Sequence, residues 1–236
     1  MFVRKAIVLY SNLWATVLML VLFAATSLTG SHAPESSRVI SGLQHLQGRV
    51  IILDPGHGGG DPGTVGVGPT TEAENVLAIA WELKGMLERA GAEVIMTRQN
   101  DQSPAHGTVY ASQQNGQLAS RVATANRSHG QVFISLHNDW HDNSSVQGTS
   151  VRYYKSQDLA LAEALQAALV RKLGTVDLGV QRSNFYVLRN TNVPAALVEI
   201  GFLSNPQEAA RLAQPTYRLE AARALLMGIN DYFAEF

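Results

Sequence analysis

Short apolar segments alternate with amphipathic helical patterns along the chain, and this alternation restricts the fold more than any other sequence feature. Continuous apolar runs at 49–54 (RVIILD), 92–97 (AEVIMT) and 131–137 (QVFISLH) are typical of strands that are covered on both faces. The spacing of apolar residues between them predicts helices over 74–91 and near 118–128. Alternating strands and helices imply right-handed crossovers and a largely parallel sheet.

The rest of the chain continues this pattern. A helix is predicted over 158–173 and a closing helix from about Pro215, while segments 148–154 (GTSVRYY), 184–188 (NFYVL) and 195–202 (AALVEIGF) favour further strands. A length of 236 residues suits one domain with a full core. We therefore predict the α/β class, as a single domain with a twisted, mostly parallel central sheet flanked by helices on both faces.

Residues 1–33 have the layout of an export signal. Two basic residues precede a long apolar stretch, and Ser31-His32-Ala33 fits a small-x-small cleavage site. The apolar stretch is also long enough to span a bilayer as an uncleaved anchor, so both interpretations stay open. Either one predicts an exported protein of the periplasm or extracellular cell envelope, which contacts the membrane only through such an anchor. Residues 34–47 are then a linker to a globular domain over 48–236.

The composition excludes several classes of function. Hydrophobic residues make up 46% of the chain and charged residues 16%, which is the composition of a folded protein. The formal net charge is −1 and no basic cluster occurs, so nucleic acid is not an expected partner. The chain has no cysteine, which excludes disulfides and thiolate metal sites. Any metal must therefore be bound by His, Asp and Glu. We expect the protein to be a monomer.

Three residues that can bind metal or transfer protons follow predicted strands. His57 follows RVIILD, His137 ends QVFISLH, and Glu199 lies near the end of AALVEIGF. The carboxyl ends of strands in an open α/β sheet are where binding sites collect. A catalytic zinc ion takes three protein ligands, with water in the fourth position. His57, Glu72 and His137 supply such a set, and Glu199 remains as a base.

The glycines after His57 also allow a phosphate-binding interpretation. Gly58 to Gly63 matches G-x-G-x-x-G after a strand, which on its own is a weak signal. A dinucleotide-binding loop leads directly into a helix, whereas the helical pattern here begins only near Thr71. Asp61 would place negative charge beside a phosphate. The sequence therefore disfavours a nucleotide cofactor.

Each candidate also has a purely structural interpretation. His57 fits a turn that requires unusual backbone angles, and His137 fits a hydrogen-bonded core histidine. The sequence T-E-A-E from Thr71 matches a capping box with Glu74 at its third helical position, and spacing alone does not decide between Glu72 and Glu74 as a ligand. Glu199 lies inside an apolar run, where an ionised carboxylate is costly unless it is paired or functional.

Four segments in order resemble one family, the zinc-dependent N-acetylmuramoyl-L-alanine amidases that act on bacterial peptidoglycan. IILDPGHGGGDPGTVG resembles the first metal motif of the family, and TEAENVLAIA resembles its glutamate-containing helix start. ASRVATANRSHGQVFISLHND resembles the segment that ends in the second metal histidine. NFYVLRNTNVPAALVEIGFLSNPQEAARL resembles the carboxyl-terminal signature. The resemblance extends from about Arg49 to the end of the chain.

This resemblance implies roles for individual residues. His57, Glu72 and His137 would be the ligands of Zn²⁺, and Glu199 would be the catalytic glutamate. Among the acids of the helix start, the resemblance favours Glu72 over Glu74. The family fold, a twisted and mostly parallel sheet flanked by helices, agrees with the fold predicted from the pattern.

The sequence also departs from the family at two places. Ala73 stands where the family often has lysine, and Asn138-Asp139 stands where it often has Ala-Asn. These departures bear on substrate positioning rather than on the ligands. Asn138 is a candidate substrate-binding residue, as is Arg189, for which a surface salt bridge is the alternative. Some members carry a helix after the second histidine that blocks the site, and the short segment between His137 and Gly148 predicts none here.

The implied reaction is hydrolysis of the amide between N-acetylmuramic acid and L-alanine in peptidoglycan, whose glycan strands and stem peptides would be the partners. A zinc carboxypeptidase or endopeptidase that acts on the stem peptides is the alternative enzyme. A non-catalytic peptidoglycan-binding domain would have lost at least one of the four site residues, and all four are present.

Overall fold

Six strands form one sheet at the centre of the protein. The computed structural model describes residues 42–235. The strand order is β2-β1-β3-β6-β4-β5, and every neighbouring pair is parallel except β4 and β6. The predicted mostly parallel α/β sheet is therefore confirmed. The strands are β1 (Val50–Pro55), β2 (Glu93–Met96), β3 (Val132–Asp139), β4 (Thr149–Tyr153), β5 (Asp177–Arg182) and β6 (Ala195–Phe202).

Helices connect these strands and cover both faces of the sheet. Short 3-10 helices also occur at Gln44–Leu46 and Ser156–Asp158. The α-helices are α1 (Glu72–Arg89), α2 (Gly116–Arg127), α3 (Leu159–Leu173), α4 (Tyr186–Asn190), α5 (Pro206–Leu212) and α6 (Pro215–Glu235).

Alternate residues of the strands pack into two separate cores. On one face, residues such as Ile51 and Ile134 pack in a large core with α1, α3 and α6. On the other face, Ile52, Phe133 and Leu197 pack in a smaller core with α2 and α4. Successive side chains of a strand point to opposite faces, so strands buried on both sides read as continuous apolar runs. The flanking helices predicted on both faces are thus confirmed.

The sequence patterns misassigned one segment and missed one strand. Segment 184–188 favoured a strand, but its residues from Tyr186 onwards begin α4, which has only five residues and is too short to show helical periodicity. Arg189 lies within α4. The missed strand β5 is an edge strand that pairs only with β4 and is exposed at both ends, so it lacks an apolar run.

Residues from Leu43 onwards form one compact unit. Leu46, in the 3-10 helix of the predicted linker, is fully buried in the large core. The predicted export signal or anchor (1–33) and the beginning of the linker lie outside the described residues. Within residues 42–235, no helix combines the length and apolarity needed to cross a membrane.

Candidate metal and catalytic site

His57 is the second residue after β1 and adopts a backbone conformation that is rare for a non-glycine residue. Its φ angle of 61° lies in the left-handed region. The Nδ1 atom of the ring lies 3.0 Å from Oδ2 of Asp61, and the Nε2 atom lies 3.0 Å from Oε1 of Glu72. Asp61 is itself held by the main-chain N–H of Gly63, which donates to Oδ1 at 3.0 Å. The unusual backbone angles predicted for the turn are therefore confirmed, and they leave the ring of His57 facing Glu72.

Glu72 and Glu74, which spacing could not distinguish, have different environments at the start of α1. Glu74 completes the predicted capping box: its N–H donates to the Thr71 side chain, and its carboxylate accepts from the Thr71 N–H. Glu72 points inward and is 3% exposed. Its Oε2 atom accepts from the N–H of Thr64 at 2.8 Å, and its Oε1 atom accepts from the N–H of Asn138 at 3.0 Å. The buried carboxylate is thus the one available to a metal.

His137 and Glu199 occupy paired positions on the adjacent parallel strands β3 and β6. Paired residues on neighbouring strands share one face of the sheet, and this is the face covered by the smaller core. The Nδ1 atom of His137 lies 2.8 Å from Oε1 of Glu72. The ring also packs closely on Gly56, where a Cβ atom would lie 2.3 Å from its Cε1 atom. The strand pairing therefore places a potential base beside a potential ligand.

The three predicted ligands meet in one cluster. Donor atoms of His57, Glu72 and His137 all lie within 4.8 Å of one another. Two imidazoles and one carboxylate match the donors of catalytic zinc sites. Such sites also commonly orient a ligand imidazole through a carboxylate on its other nitrogen, as Asp61 does for His57. The donor set and its surroundings therefore fit a zinc ion.

The charges within the cluster favour an ionised carboxylate. Burial alone would raise the pKa of Glu72, but the hydrogen bonds and charges of His137 and His57 outweigh it and hold that pKa well below its usual range. Burial likewise lowers the pKa of His57, while Glu72 and Asp61 raise it by a larger amount. Glu72 is thus the anionic centre of the cluster.

Glu199 lies in a different electrostatic environment. It is 8% exposed, and no described residue forms a hydrogen bond with its buried Oε2 atom. Burial raises the pKa of this carboxyl well above its usual range, the negative charges of Asp139 and Glu72 raise it further, and the positive charge of Arg152 opposes them. Arg152, which sequence reasoning missed, is paired with Leu197 on the face that also carries Glu199. No sequence signal indicated this role, because the pairing of β4 with β6 is visible only in the structure.

A cavity of about 260 Å³ opens beside the cluster. Its lining combines His57, His137 and Glu199 with apolar residues such as Leu118 and Phe185. Leu118 lies near the start of α2, and Phe185 lies directly before α4. The cavity can therefore place an apolar group of a bound molecule next to the candidate metal ligands.

The two proposed substrate-binding residues lie in different surroundings. Arg189 is in α4, where its Nη1 atom donates to Asn184 at 2.7 Å and its guanidinium lies 5.9 Å from the ring centroid of Tyr186, a residue that lines the cavity. Asn138 is 2% exposed, and its side-chain amide donates to the carbonyl of His137 at 3.0 Å. Its Oδ1 atom has no hydrogen-bond partner among the described residues.

Fold and site together define the class of the protein: an α/β domain with a His-Glu-His candidate metal site and a buried glutamate at the carboxyl edge of its sheet. The sequence profile described as N-acetylmuramoyl-L-alanine amidase matches residues 51–231. The chain belongs to this family, which confirms the resemblance drawn from the four sequence motifs.

Individual relatives agree with this assignment. The chain is 35% identical over 191 residues to the probable cell wall amidase LytH of Staphylococcus epidermidis, in an alignment that covers 80% of this chain but only 60% of LytH. It is 36% identical over 195 residues to the germination-specific N-acetylmuramoyl-L-alanine amidase of Bacillus subtilis, covering 80% of this chain and 82% of that relative. The CwlD amidase of Clostridioides difficile, solved in complex with the GerS lipoprotein, is similar in fold with a TM-score of 0.74 and 31% identity, over 80% of this chain and 100% of CwlD.

Proposed function

We propose that the protein is a zinc-dependent N-acetylmuramoyl-L-alanine amidase that hydrolyses the amide bond between N-acetylmuramic acid and L-alanine in peptidoglycan. The observation that carries this proposal is the convergence of His57, Glu72 and His137 on one point, with Glu199 paired beside His137. Family membership supports the substrate class, since the matching profile and the relatives carry this description.

The residues of the site have distinct roles in this reaction. His57, Glu72 and His137 would hold the zinc ion, which supplies a Lewis acid that polarises a carbonyl and acidifies water. Glu199 accepts a proton from the attacking water at its carboxylate and delivers it to the leaving amine of L-alanine. Such general acid–base catalysis contributes about 10²- to 10⁴-fold to a rate. The contact between Asp61 and Nδ1 of His57 leaves Nε2 facing Glu72, and Nε2 is the nitrogen that would bind the ion.

Substrate binding is assigned to the cavity beside the ligands. Arg189 stands next to Tyr186 at the cavity and is proposed to bind a carboxylate of the stem peptide or the developing oxyanion. Asn138 follows His137 and stays a proposed substrate-binding residue, and its main-chain N–H also holds Glu72. We also propose that no inhibitory helix follows His137; among the described residues, segment 140–148 between β3 and β4 is not helical.

The proposed place of action is the cell envelope, outside the cytoplasm. The relatives described as cell wall amidases support this, as does the export pattern of residues 1–33. Peptidoglycan strands and stem peptides are the proposed partners, the protein is proposed to act as a monomer, and membrane contact would occur only through an uncleaved anchor.

Digestion of purified peptidoglycan by the full chain, with and without a chelator, tests the proposal. An amidase releases stem peptides that carry a free L-alanine amine, identifiable by mass, and leaves the glycan strands intact. We expect these products to disappear with the chelator and to return when zinc is added. Release of D-alanine or of cross-link fragments alone would instead identify a peptidase, and the absence of any product would favour a non-catalytic binding domain.

A further inference from the structure

Two buried arginines enclose the turn that carries His57. Arg98 is 5% exposed and Arg121 is 2% exposed. Their side chains together bind the carbonyl oxygens of three consecutive residues, Pro55, Gly56 and His57. The main chain before and at the first ligand is therefore held from two sides.

Arg98 connects the turn to the helix that begins with the second ligand. Its Nη2 atom donates to the carbonyl of Gly56 at 2.7 Å and to the carbonyl of Ala73, the residue after Glu72, at 2.8 Å. Its Nε atom donates to Pro55 at 2.9 Å and its Nη1 atom to Asn100 at 3.1 Å. All four hydrogen bonds end on main-chain carbonyls. A single guanidinium thus fixes the spacing between the segments that carry His57 and Glu72.

Arg121 connects the same turn to the strand that carries the third ligand. Its Nη2 atom donates to the carbonyl of His57 at 2.5 Å, and its Nη1 atom donates to Pro55 at 2.7 Å and forms an ion pair with Asp54. The other carboxylate oxygen of Asp54 accepts from the hydroxyl of Ser135 at 2.7 Å. Ser135 lies on β3, two residues before His137. The chain of contacts therefore runs from His57 to the strand of His137.

Burying two guanidinium groups is costly, and apolar residues can often fill such a space without loss of stability. The planar fork of arginine can hold several acceptors in fixed directions, which an apolar side chain cannot do. What these two forks hold is a turn with His57 in the left-handed region, a conformation that persists only when its surroundings enforce it. The buried charges therefore act on the geometry of the turn.

We propose that Arg98 and Arg121 are positioning residues that preorganise His57, Glu72 and His137 for a metal ion. The proposal rests on the metal site assigned under the proposed function. Both arginines act on the turn through main-chain carbonyls, Arg121 acts in addition through its ion pair with Asp54, and neither belongs to the three-residue ligand cluster. Ligand sites of this kind gain affinity when supporting groups fix the ligands in advance.

The substitutions Arg98→Lys and Arg121→Lys test this proposal in the full chain. Lysine keeps the positive charge but loses the fork, so it cannot hold the same set of carbonyls. We expect the affinity for zinc, measured by competition with a chromophoric chelator, to fall about 10- to 100-fold in each variant. We also expect the visible absorption spectrum of the Co²⁺-loaded variants to differ from that of the wild type, because the ligand geometry is altered.

Arg218→Lys provides a matched control. Arg218 is partly buried and donates from Nη1 to the side chain of Asn75 at 3.2 Å and to the carbonyl of Leu212 at 3.5 Å, so it holds helices together without touching the His57 turn. This variant should keep the zinc affinity and the Co²⁺ spectrum of the wild type even if its denaturant midpoint falls. A loss of affinity that merely followed stability would appear in Arg218→Lys as well.

The possible outcomes distinguish the positioning role of the arginines from the metal site itself. Wild-type affinity and an unchanged Co²⁺ spectrum in either folded lysine variant would overturn the positioning role of that arginine. If Arg121→Lys does not fold, Arg98→Lys decides the question, since Arg98 is not the ion-pair partner of Asp54. Wild-type protein that binds no zinc would instead overturn the metal site itself, and with it this proposal.

Discussion

The Nδ1 atom of His57 lies 3.0 Å from the carboxylate of Asp61, four residues further along the chain. This contact leaves Nε2 as the nitrogen that faces Glu72. Removing the carboxylate with Asp61→Ala frees the ring to rotate, so the zinc affinity should fall about 10- to 100-fold. Chelator competition measures this change.

Asp101→Ala is the control for that substitution. Asp101 accepts the N–H of Gly59 at 3.0 Å and so supports the same loop, but through a residue that is not a ligand. Its zinc affinity should stay close to that of the wild type. Equal losses in Asp61→Ala and Asp101→Ala would mean that the loop, rather than the imidazole contact, sets the affinity.

Glu199→Gln separates catalysis from metal binding. Glu199 is paired with His137 but is not part of the three-residue cluster. The Glu199→Gln variant should therefore still bind one zinc ion per chain. Turnover of peptidoglycan should fall by about 10²- to 10⁴-fold, because an amide cannot take the proton of water. Metal analysis and product release on the same preparation check both statements. Activity close to that of the wild type would remove Glu199 from the mechanism.

Glu72→Gln and Glu74→Gln distinguish the two acids at the start of α1. The buried Glu72 carboxylate contacts both histidines. Replacing it by the neutral amide of glutamine should therefore abolish stable zinc binding. Glu74 serves the capping box, and glutamine serves there nearly as well, so Glu74→Gln should keep both zinc and stability. Zinc retained by Glu72→Gln would contradict the assigned ligand set.

Gly63→Ala should damage the metal site directly. Gly63 has a φ of 66°, and a Cβ there would lie 2.6 Å from both the Oε2 atom of Glu72 and the Cδ2 atom of His57. Gly107 has a φ of 71° and nothing within 4 Å of the corresponding position. Both alanine variants should therefore lose about 1 kcal/mol of folding free energy from backbone strain, but only Gly63→Ala should lose zinc affinity. Calorimetric titration of both variants with zinc makes the comparison.

Asp54→Asn should make stability less dependent on pH. Burial alone would raise the pKa of Asp54, but the charge of Arg121 and the hydrogen bonds of Thr97 and Ser135 hold it below its usual value. A carboxyl with a lowered pKa stabilises the fold above its unfolded pKa of about 3.9, and this stabilisation is lost as the pH falls. Near neutral pH, the free energy of unfolding of the wild type should exceed that of Asp54→Asn by about 3–5 kcal/mol.

Denaturant titrations from neutral pH to below about pH 4 test this difference, which should shrink on acidification. Asp231→Asn is the control, because Asp231 forms an exposed ion pair with Arg171 at 3.1 Å. Such pairs contribute only about 0–1 kcal/mol. A gap between wild type and Asp54→Asn that stayed constant down to low pH would show that Asp54 does not titrate in this way.

The sheet and the clustering of the candidate ligands could be predicted because they leave local signals. The apolar runs that became β1, β3 and β6 are buried on both faces, and His137 and Glu199 stand towards the ends of two of these strands. Strand β5 and helix α4 left weaker signals, since one is an exposed edge and the other is a single short turn.

The groups that support the ligands were not predicted, because their partners are distant in sequence. Arg98 and Arg121 resemble ordinary surface charges until the fold shows their hydrogen bonds to residues 55–57. One signal was available for Arg121. It shares the apolar side of α2 with Val122 and Ala125, where a charged residue requires an explanation. Which carbonyls it binds depends on the three-dimensional arrangement alone.

Gly56 shows that the glycine-rich turn depends on His137, a residue far away in the chain. A side chain at this position would collide with the ring of His137, and one at Gly63 would collide with Glu72. If the turn alone were transplanted into another α/β scaffold, His57 would be carried over without His137 and Glu72, the neighbours that require glycine at positions 56 and 63. A designer would have to graft the turn, the start of α1 and the end of β3 as one unit.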